Sequence, residues 1–198
     1  VFISQSGETA DTLAALRYAK AQGSPTIAIV NVMESTMARE ADAVLPTYSG
    51  PEIGGASSKS FTTQLVTLAL LVLSAGEGKN TITAEENKSH LHALSETPSR
   101  MAEVLTQEPV YKELSHELAL AKSILYIGRG TAYGIALEGA LKLKEISYIH
   151  AEATAAGELK NGPIALIDET VPVVGIARFV SLFDNNASNI RFVATRGG

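Results

Sequence analysis

Cysteine and tryptophan are absent from all 198 residues. The missing thiol excludes a disulfide framework, a thiolate metal site and a cysteine nucleophile. Histidine is scarce. His90 and His92 stand two apart, which turns them to different sides of a helix, and His116 and His150 are isolated, so no metal-binding pattern forms and none is expected. Surplus positive charge is also lacking: 16 Lys and Arg face 21 Asp and Glu, for a formal net charge of -5. That balance argues against a nucleic-acid backbone as the main partner, but leaves room for local sites that take small anions. The longest apolar run, Leu65 to Leu73 interrupted by Thr67, falls short of the ~20 residues that span a bilayer. It reads as a buried helix, and no membrane partner is expected.

What is present is a globular composition, 45% hydrophobic and 19% charged, in a chain long enough for one large or two small domains. A strand-like Val1-Phe2-Ile3 runs into Ser4-Gln5-Ser6-Gly7-Glu8-Thr9 and then into a helix pattern. A helix start leaves backbone N–H groups unpaired and carries partial positive charge, which makes it a seat for phosphate. Ser4, Ser6 and Thr9 add hydroxyls, Gln5 an amide, and Gly7 allows close backbone approach. The competing reading is that Ser6 or Thr9 merely caps the helix. Residue 1 already lies inside a strand, and the last residues follow a helix-like segment where an α/β protein would supply another strand. The expectation is therefore truncation at both ends.

The first third alternates in an α/β rhythm: a helix from about Thr9 to Ala21, an apolar run from Thr26 to Val32, a short helix around Ser35 to Ala41, and a strand near Ala43 to Thr47. Pro46 marks a strand edge or end. A loop framed by Ser49-Gly50-Pro51 and Gly54-Gly55 leads to a long helix from about Ser57 to Ser74. Residues 76–107 are polar, with Pro98 interrupting two helical stretches, and read as a helical connector. Beyond Pro109 come a helix through Ala121, the strand Ser123 to Ile127, the turn Gly128-Arg129-Gly130, a helix from about Ala132 to Tyr148, a strand from Val171 to Ala177 and a last helix near Ser181 to Val193. Such alternation predicts an α/β fold with parallel sheets flanked by helices and ligands at the carboxyl ends of strands.

Gly128-Arg129-Gly130 with Gly134 invites a dinucleotide reading, but the G-x-G-x-x-x-G spacing and the missing acidic strand end favour a tight turn that lets helix and strand pack closely. In the following helix Glu138, Lys142 and Glu145 share a face. A solvated, ion-paired face is one reading. The other is a cleft wall, because Leu137, Leu141, Leu143 and Ile146 surround the stripe; a partly desolvated Glu145 with a raised pKa could then move a proton from and to carbon. The segment Ala151 to Pro163 is small and polar without clear periodicity. It reads as a connection, with a helix beginning near Gly157.

Two stretches resemble a known family. Val1 to Thr9 is similar to the sugar-phosphate loop of sugar isomerase (SIS) domains, and Ala136 to Ala153, followed by Gly157-Glu158-Leu159-Lys160, is similar to the glutamine–fructose-6-phosphate aminotransferases within them. Glu52-Ile53-Gly54, Ser57, Lys59 and Phe61 to Leu65 fit as well. The resemblance covers essentially the whole chain and implies two incomplete, flavodoxin-like SIS units: residues 1–75 as the later part of one, 76–107 as the connector, and 108–198 as the earlier part of the next. It implies the isomerase part of an enzyme that converts fructose 6-phosphate and ammonia into glucosamine 6-phosphate in the cytoplasm, working as a homodimer with no cofactor. The glutaminase domain, with its cysteine, lies outside these residues. So does the family's Schiff-base lysine, and the chain alone is expected to be inactive in synthesis.

By that resemblance Ser4, Gln5, Ser6 and Thr9 hold the sugar phosphate, Ser57 touches the sugar, and the backbone at Gly55 lines the site. Lys142 assists near the reacting carbons and Glu145 moves a proton between C1 and C2. One departure stands out: Asn161 occupies the place of the family's ring-opening histidine. An amide can hydrogen-bond a ring oxygen but cannot shuttle a proton near neutral pH. Gly55, Ser60 and Thr154 replace the usual aliphatic, alanine and aromatic residues. A related phosphosugar isomerase or deglycase, or a module that binds a phosphosugar without turning it over, are the alternative readings.

Overall fold

The computed structural model describes residues 1–177, 183–195 and 197. They form two compact units, Val1–Glu103 and Val104–Gly198. In the first, β1 (Phe2–Ser4), β2 (Ile27–Val30) and β3 (Ala43–Pro46) make a parallel sheet of order β1-β2-β3. The middle strand is the unbroken apolar run Ile27-Ala28-Ile29-Val30, and Ala28, Ile29 and Val30 are fully buried, as a parallel strand covered on both faces requires. Pro46 ends the edge strand β3, where its missing N–H costs no ladder bond. Helices α1 (Ala10–Ala21) and α2 (Thr36–Glu40) supply Leu13, Leu16 and Met37 to the core formed with Ala28 and Val30. Ser35 starts α2 by accepting the Ala38 N–H.

A second tie holds the far end of this sheet. The Asp42 carboxylate accepts both the backbone N–H and the hydroxyl of Thr26, each at 2.8 Å, and lies 3.1 Å from the Lys20 ammonium. The Thr26 hydroxyl and N–H and the Lys20 amine together hold the Asp42 pKa down at about 2.

Helices α3 (Ser58–Gly78) and α4 (Ala84–Ser95) complete the unit; α4 begins with a full capping box between Thr83 and Glu86. The expectation of a buried helix at Leu65 to Leu73 is not met. Ser60 is the buried residue of α3, while Leu65 is 43%, Leu70 44% and Val72 67% exposed. Contrary to the expected shortfall against a bilayer, the 21-residue helix is longer than the strictly apolar run because it tolerates threonines and serines, with the Thr63 and Thr67 hydroxyls donating to helix carbonyls. By length and composition α3 is long and apolar enough to cross a membrane.

Helix α5 (Thr97–Leu105) straddles the division between the units and carries Pro98 in its first turn, where proline is tolerated. In the second unit α6 (Glu108–Leu118) precedes a parallel sheet of order β5-β4-β6, built from β4 (Ser123–Gly128), β5 (His150–Ala155) and β6 (Val173–Ile176), with α7 (Thr131–Ser147) and α8 (Phe183–Ala194). The start expected for the last helix, Ser181, lies outside the described residues. Helix α7 buries a face of alanines, Ala132, Ala136 and Ala140, and so lies close on the strands. The segment read as a connection is the strand β5, paired with β4 from Ser123↔His150 to Gly128↔Ala155. Its alternating alanines have little strand propensity, and its pairing partner comes from a distant part of the chain. The helix expected near Gly157 is replaced by two 3-10 turns, Leu159–Asn161 and Pro163–Leu166, separated by Gly162 at φ 147.

Two measurements follow from this packing. A Cβ at Gly128 would lie 2.3 Å from the Ala132 carbonyl oxygen, whereas one at Gly134 meets nothing within 4 Å. G128A is expected to lower stability by about 1–3 kcal/mol, and G134A, in an exposed helical position, to raise it by about 0.5–1 kcal/mol, both read from urea midpoints. Equal effects would contradict the close strand–helix contact. Asp42 also makes acid stability predictable. Because its folded pKa is depressed, its contribution is fully present above the unfolded carboxyl value and is lost as the pH falls toward about 2. D42N should flatten the stability-against-pH curve in that interval relative to the wild type.

Candidate functional site

The loop after β1 is closed on itself by hydroxyls. Ser4, 6% exposed at the strand's end, shares a 2.8 Å hydrogen bond with the Thr9 hydroxyl and accepts the Gly7 N–H at 3.0 Å; Ser6 accepts the Glu8 N–H at 3.2 Å. Gly7 has φ 67, and a Cβ there would fall 2.1 Å from the Ser35 hydroxyl oxygen, so no other residue fits. The Gly7 carbonyl accepts the Met37 N–H, and the Glu8 carboxylate accepts the Thr36 N–H at 2.7 Å. That hydrogen bond holds the Glu8 carboxyl below its ordinary range. The loop is thus bolted to the start of α2. Thr9 is the N-cap residue of α1 yet provides no side-chain cap, because its hydroxyl is turned toward Ser4. The plain capping reading therefore fails for Thr9, and the α1 N-terminus keeps the positive end that an anion would use.

Asn31, directly after β2, was not among the expected site residues. Its N–H donates to the Gln5 carbonyl at 3.1 Å, its side-chain N–H to the Gly50 carbonyl at 2.8 Å, and its amide oxygen accepts from the Thr47 hydroxyl at 3.3 Å and the Ser49 N–H at 3.0 Å. One residue therefore ties the Ser4–Thr9 loop to the loop that follows β3. The only signal in the sequence was an asparagine ending an apolar strand. Where that second loop meets α3, Ser60 donates to the Glu52 carboxylate at 2.6 Å and the Lys59 ammonium to the Pro51 carbonyl. Ser57 starts α3 in the left-handed region, φ 50, without a side-chain cap. Its strained backbone and uncommitted side chain suit a contact residue better than a cap. Gly55 is exposed, with nothing within 4 Å of an added Cβ.

In the second unit Lys142 sits between two carboxylates, 2.7 Å from Glu145 and 3.4 Å from Glu138. The side chains of Lys142 and Glu138 are 21% and 20% exposed and that of Glu145 is 37% exposed. Desolvation works against the charged amine, but the hydrogen bond to Glu145 and the field of Glu138 outweigh it, so the Lys142 pKa is raised. The desolvation expected of Glu145 is not found. It is a part-solvated carboxylate held by an ammonium, and Leu137, Leu141 and Ile146 beside it are 47%, 41% and 66% exposed rather than walling a cleft. Asn161 lies in the first 3-10 turn and donates its side-chain N–H to the Glu158 carboxylate at 2.9 Å. Thus Ser4, Ser6 and Thr9 come together in one loop, Lys142 and Glu145 on one helix, and Asn161 meets Glu158.

The sequence profile of the SIS domain matches residues 1–74 and 117–198. The chain belongs to the SIS domain family. The whole chain is 58% identical over 198 residues to a glutamine–fructose-6-phosphate aminotransferase [isomerizing] from Bradyrhizobium diazoefficiens and 56% identical over 199 residues to one from Rhizobium meliloti. It spans about a third of the length of these curated relatives, 33% of each. Among solved structures, the C-terminal domain of glucosamine-fructose-6-phosphate aminotransferase from Francisella tularensis aligns with a TM-score of 0.96 at 44% identity, over 99% of this chain and 55% of that one. The parallel sheets flanked by helices are those of the SIS fold.

The role of Asn31 in this SIS domain chain can be measured. N31A removes three side-chain hydrogen bonds. It should cost about 1–3 kcal/mol of stability and speed hydrogen exchange at the Ser49 amide far more than at Ile29. Unchanged Ser49 protection would show that the second loop is held by something else.

Proposed function

We propose that this chain carries the phosphosugar-handling part of a glutamine–fructose-6-phosphate aminotransferase, which forms glucosamine 6-phosphate from fructose 6-phosphate and ammonia. The observation that carries the reading is the 58% identity maintained across all 198 residues. In this reading the first SIS unit ends near residue 75, a helical connector runs over 76–107, and the second unit begins near 108. The profile's gap between residues 74 and 117 supports that division. A cytoplasmic homodimer and a cysteine-dependent glutaminase domain outside these residues belong to the same reading.

The chemistry follows from the groups available. The phosphate dianion takes the α1 N-terminus with the hydroxyls of Ser4, Ser6 and Thr9 and the amide of Gln5, gaining charge-assisted hydrogen bonds where partial positive charge already sits. Ser57 and the Gly55 backbone contact the sugar. Glu145 removes a proton from C1 and returns it to C2, a task for a positioned carboxylate. Lys142, 2.7 Å away, fixes the orientation of that carboxylate and offers a cation to negative charge developing on the substrate. Asn161 hydrogen-bonds the sugar.

Proton transfer to and from carbon gives a direct test. Fructose 6-phosphate incubated with the chain in deuterium oxide should gain deuterium at C1, followed by NMR. E145Q should slow that exchange by roughly 10²–10⁴-fold and leave phosphosugar binding in place, whereas S4A combined with T9A should weaken binding first. Wild-type binding without any exchange would mean that the chain is a phosphosugar-binding module and overturn the isomerase reading.

A further inference from the structure

We propose that Asn161 is a site of spontaneous covalent modification: the Gly162 backbone nitrogen attacks its side-chain amide and converts it to aspartate or isoaspartate. Closing that five-membered ring needs an attacking N–H that is free, a following residue with no side chain in the way, and an asparagine open to water. Position 161 meets all three conditions. Asn161-Gly162 is the only asparagine–glycine pair in the sequence. Both residues are exposed, and nothing lies within 4 Å of a Cβ built at Gly162. Among the described residues the Gly162 N–H meets no acceptor, although the Asn161 and Ala165 N–H groups on either side of it donate to the Glu158 and Gly162 carbonyls at 2.9 Å. At φ 147 Gly162 holds a backbone conformation that a residue with a Cβ rarely adopts, so the turn requires the very residue that exposes Asn161 to attack.

The other asparagines outside α8 lack this combination. Asn31 is followed by Val32, and its side chain holds three hydrogen bonds. Asn87 is 8% exposed and followed by Lys88, and Asn80 is followed by Thr81. What restrains Asn161 is the 2.9 Å hydrogen bond from its side-chain nitrogen to the Glu158 carboxylate, made in the open where water competes for both groups.

The step consumes only water. The Gly162 nitrogen gives its proton to solvent and bonds to Asn161 Cγ, the bond from Cγ to the side-chain nitrogen breaks, and that nitrogen leaves as ammonia with a proton from water. Water then opens the resulting succinimide. Attack at Cγ gives aspartate, and attack at the main-chain carbonyl gives isoaspartate. Either product replaces a donor to Glu158 by a second carboxylate, so an attraction becomes a repulsion between like charges. Isoaspartate also lengthens the main chain by one carbon inside a turn closed by the Asn161 and Ala165 N–H groups. The turn after β5 thus carries an irreversible switch set by time and pH. It needs no ligand and is independent of the phosphosugar reading.

The test compares the full folded chain with the same chain unfolded in guanidinium chloride, both kept in mildly alkaline buffer until the unfolded chain is half converted at Asn161. Peptide mass spectrometry with an isoaspartate-specific label reads each asparagine. The folded chain should convert at Asn161 within about tenfold of the unfolded rate, while Asn31 and Asn87 stay intact. E158A should speed the folded reaction by roughly 2–10-fold, the worth of one exposed hydrogen bond, with an intact Asn31 as the mark of a folded chain. N161Q, whose ring would need six members, should leave that peptide unchanged. An Asn161 that survives in the folded chain while the unfolded chain converts overturns the proposal. So does equal conversion at Asn31, Asn87 and Asn161, which would be ageing of an opened chain, and an E158A rate equal to the wild type overturns the restraint assigned to Glu158.

Discussion

The 2.8 Å hydrogen bond between the Ser4 and Thr9 hydroxyls decides what the start of α1 is able to do. A threonine at a helix N-cap ordinarily turns its oxygen onto the helix's own N–H groups and neutralises them. Here the oxygen is drawn back to the end of β1, and the positive helix terminus is left for something else. The geometry persists because Gly7 alone fits beside Ser35, and because Glu8 and the Gly7 carbonyl are bonded to the first turn of α2. The loop is thereby rigid before any ligand arrives. Preformed N–H dipoles need no reorganisation to receive a phosphate, which is the condition under which they bind it best.

A similar economy governs α7. Its alanine face brings the helix close to the sheet, and Gly139 gives way to the Tyr126 ring, where an added Cβ would come within 2.9 Å. The long side chains are then left for the outward faces. Lys142 remains charged although largely covered, because two carboxylates on the same helix outweigh its desolvation. The proposed base Glu145 is accordingly oriented by an ion pair rather than isolated by burial. The ion pair holds that carboxylate in a fixed direction, and proton transfer to carbon depends strongly on direction.

Much of this was legible in the residues. The apolar run around Ile27 to Val30, the short helix starting near Ser35 and the parallel α/β rhythm are local signals, and local structure follows them. The hydroxyl cluster from Ser4 to Thr9 was visible for the same reason, since its members are adjacent in the chain. What could not be read depends on distant partners. Strand β5 is alanine-rich and gains its identity from pairing with β4, and the strut at Asn31 joins residues that are far apart in sequence. Helix α3 has the composition of a core helix, yet exposure is a property of its neighbours, not of its own sequence.

Apart from Glu138, Lys142 and Glu145 on α7, the groups singled out in each unit obey one topological rule. Ser4 to Thr9 follow β1, Asn31 follows β2, the Thr47 to Ser57 loop follows β3, and Glu158 with Asn161 follows β5. All lie beyond carboxyl ends of parallel strands, where loops are free to vary while the sheet fixes their origins.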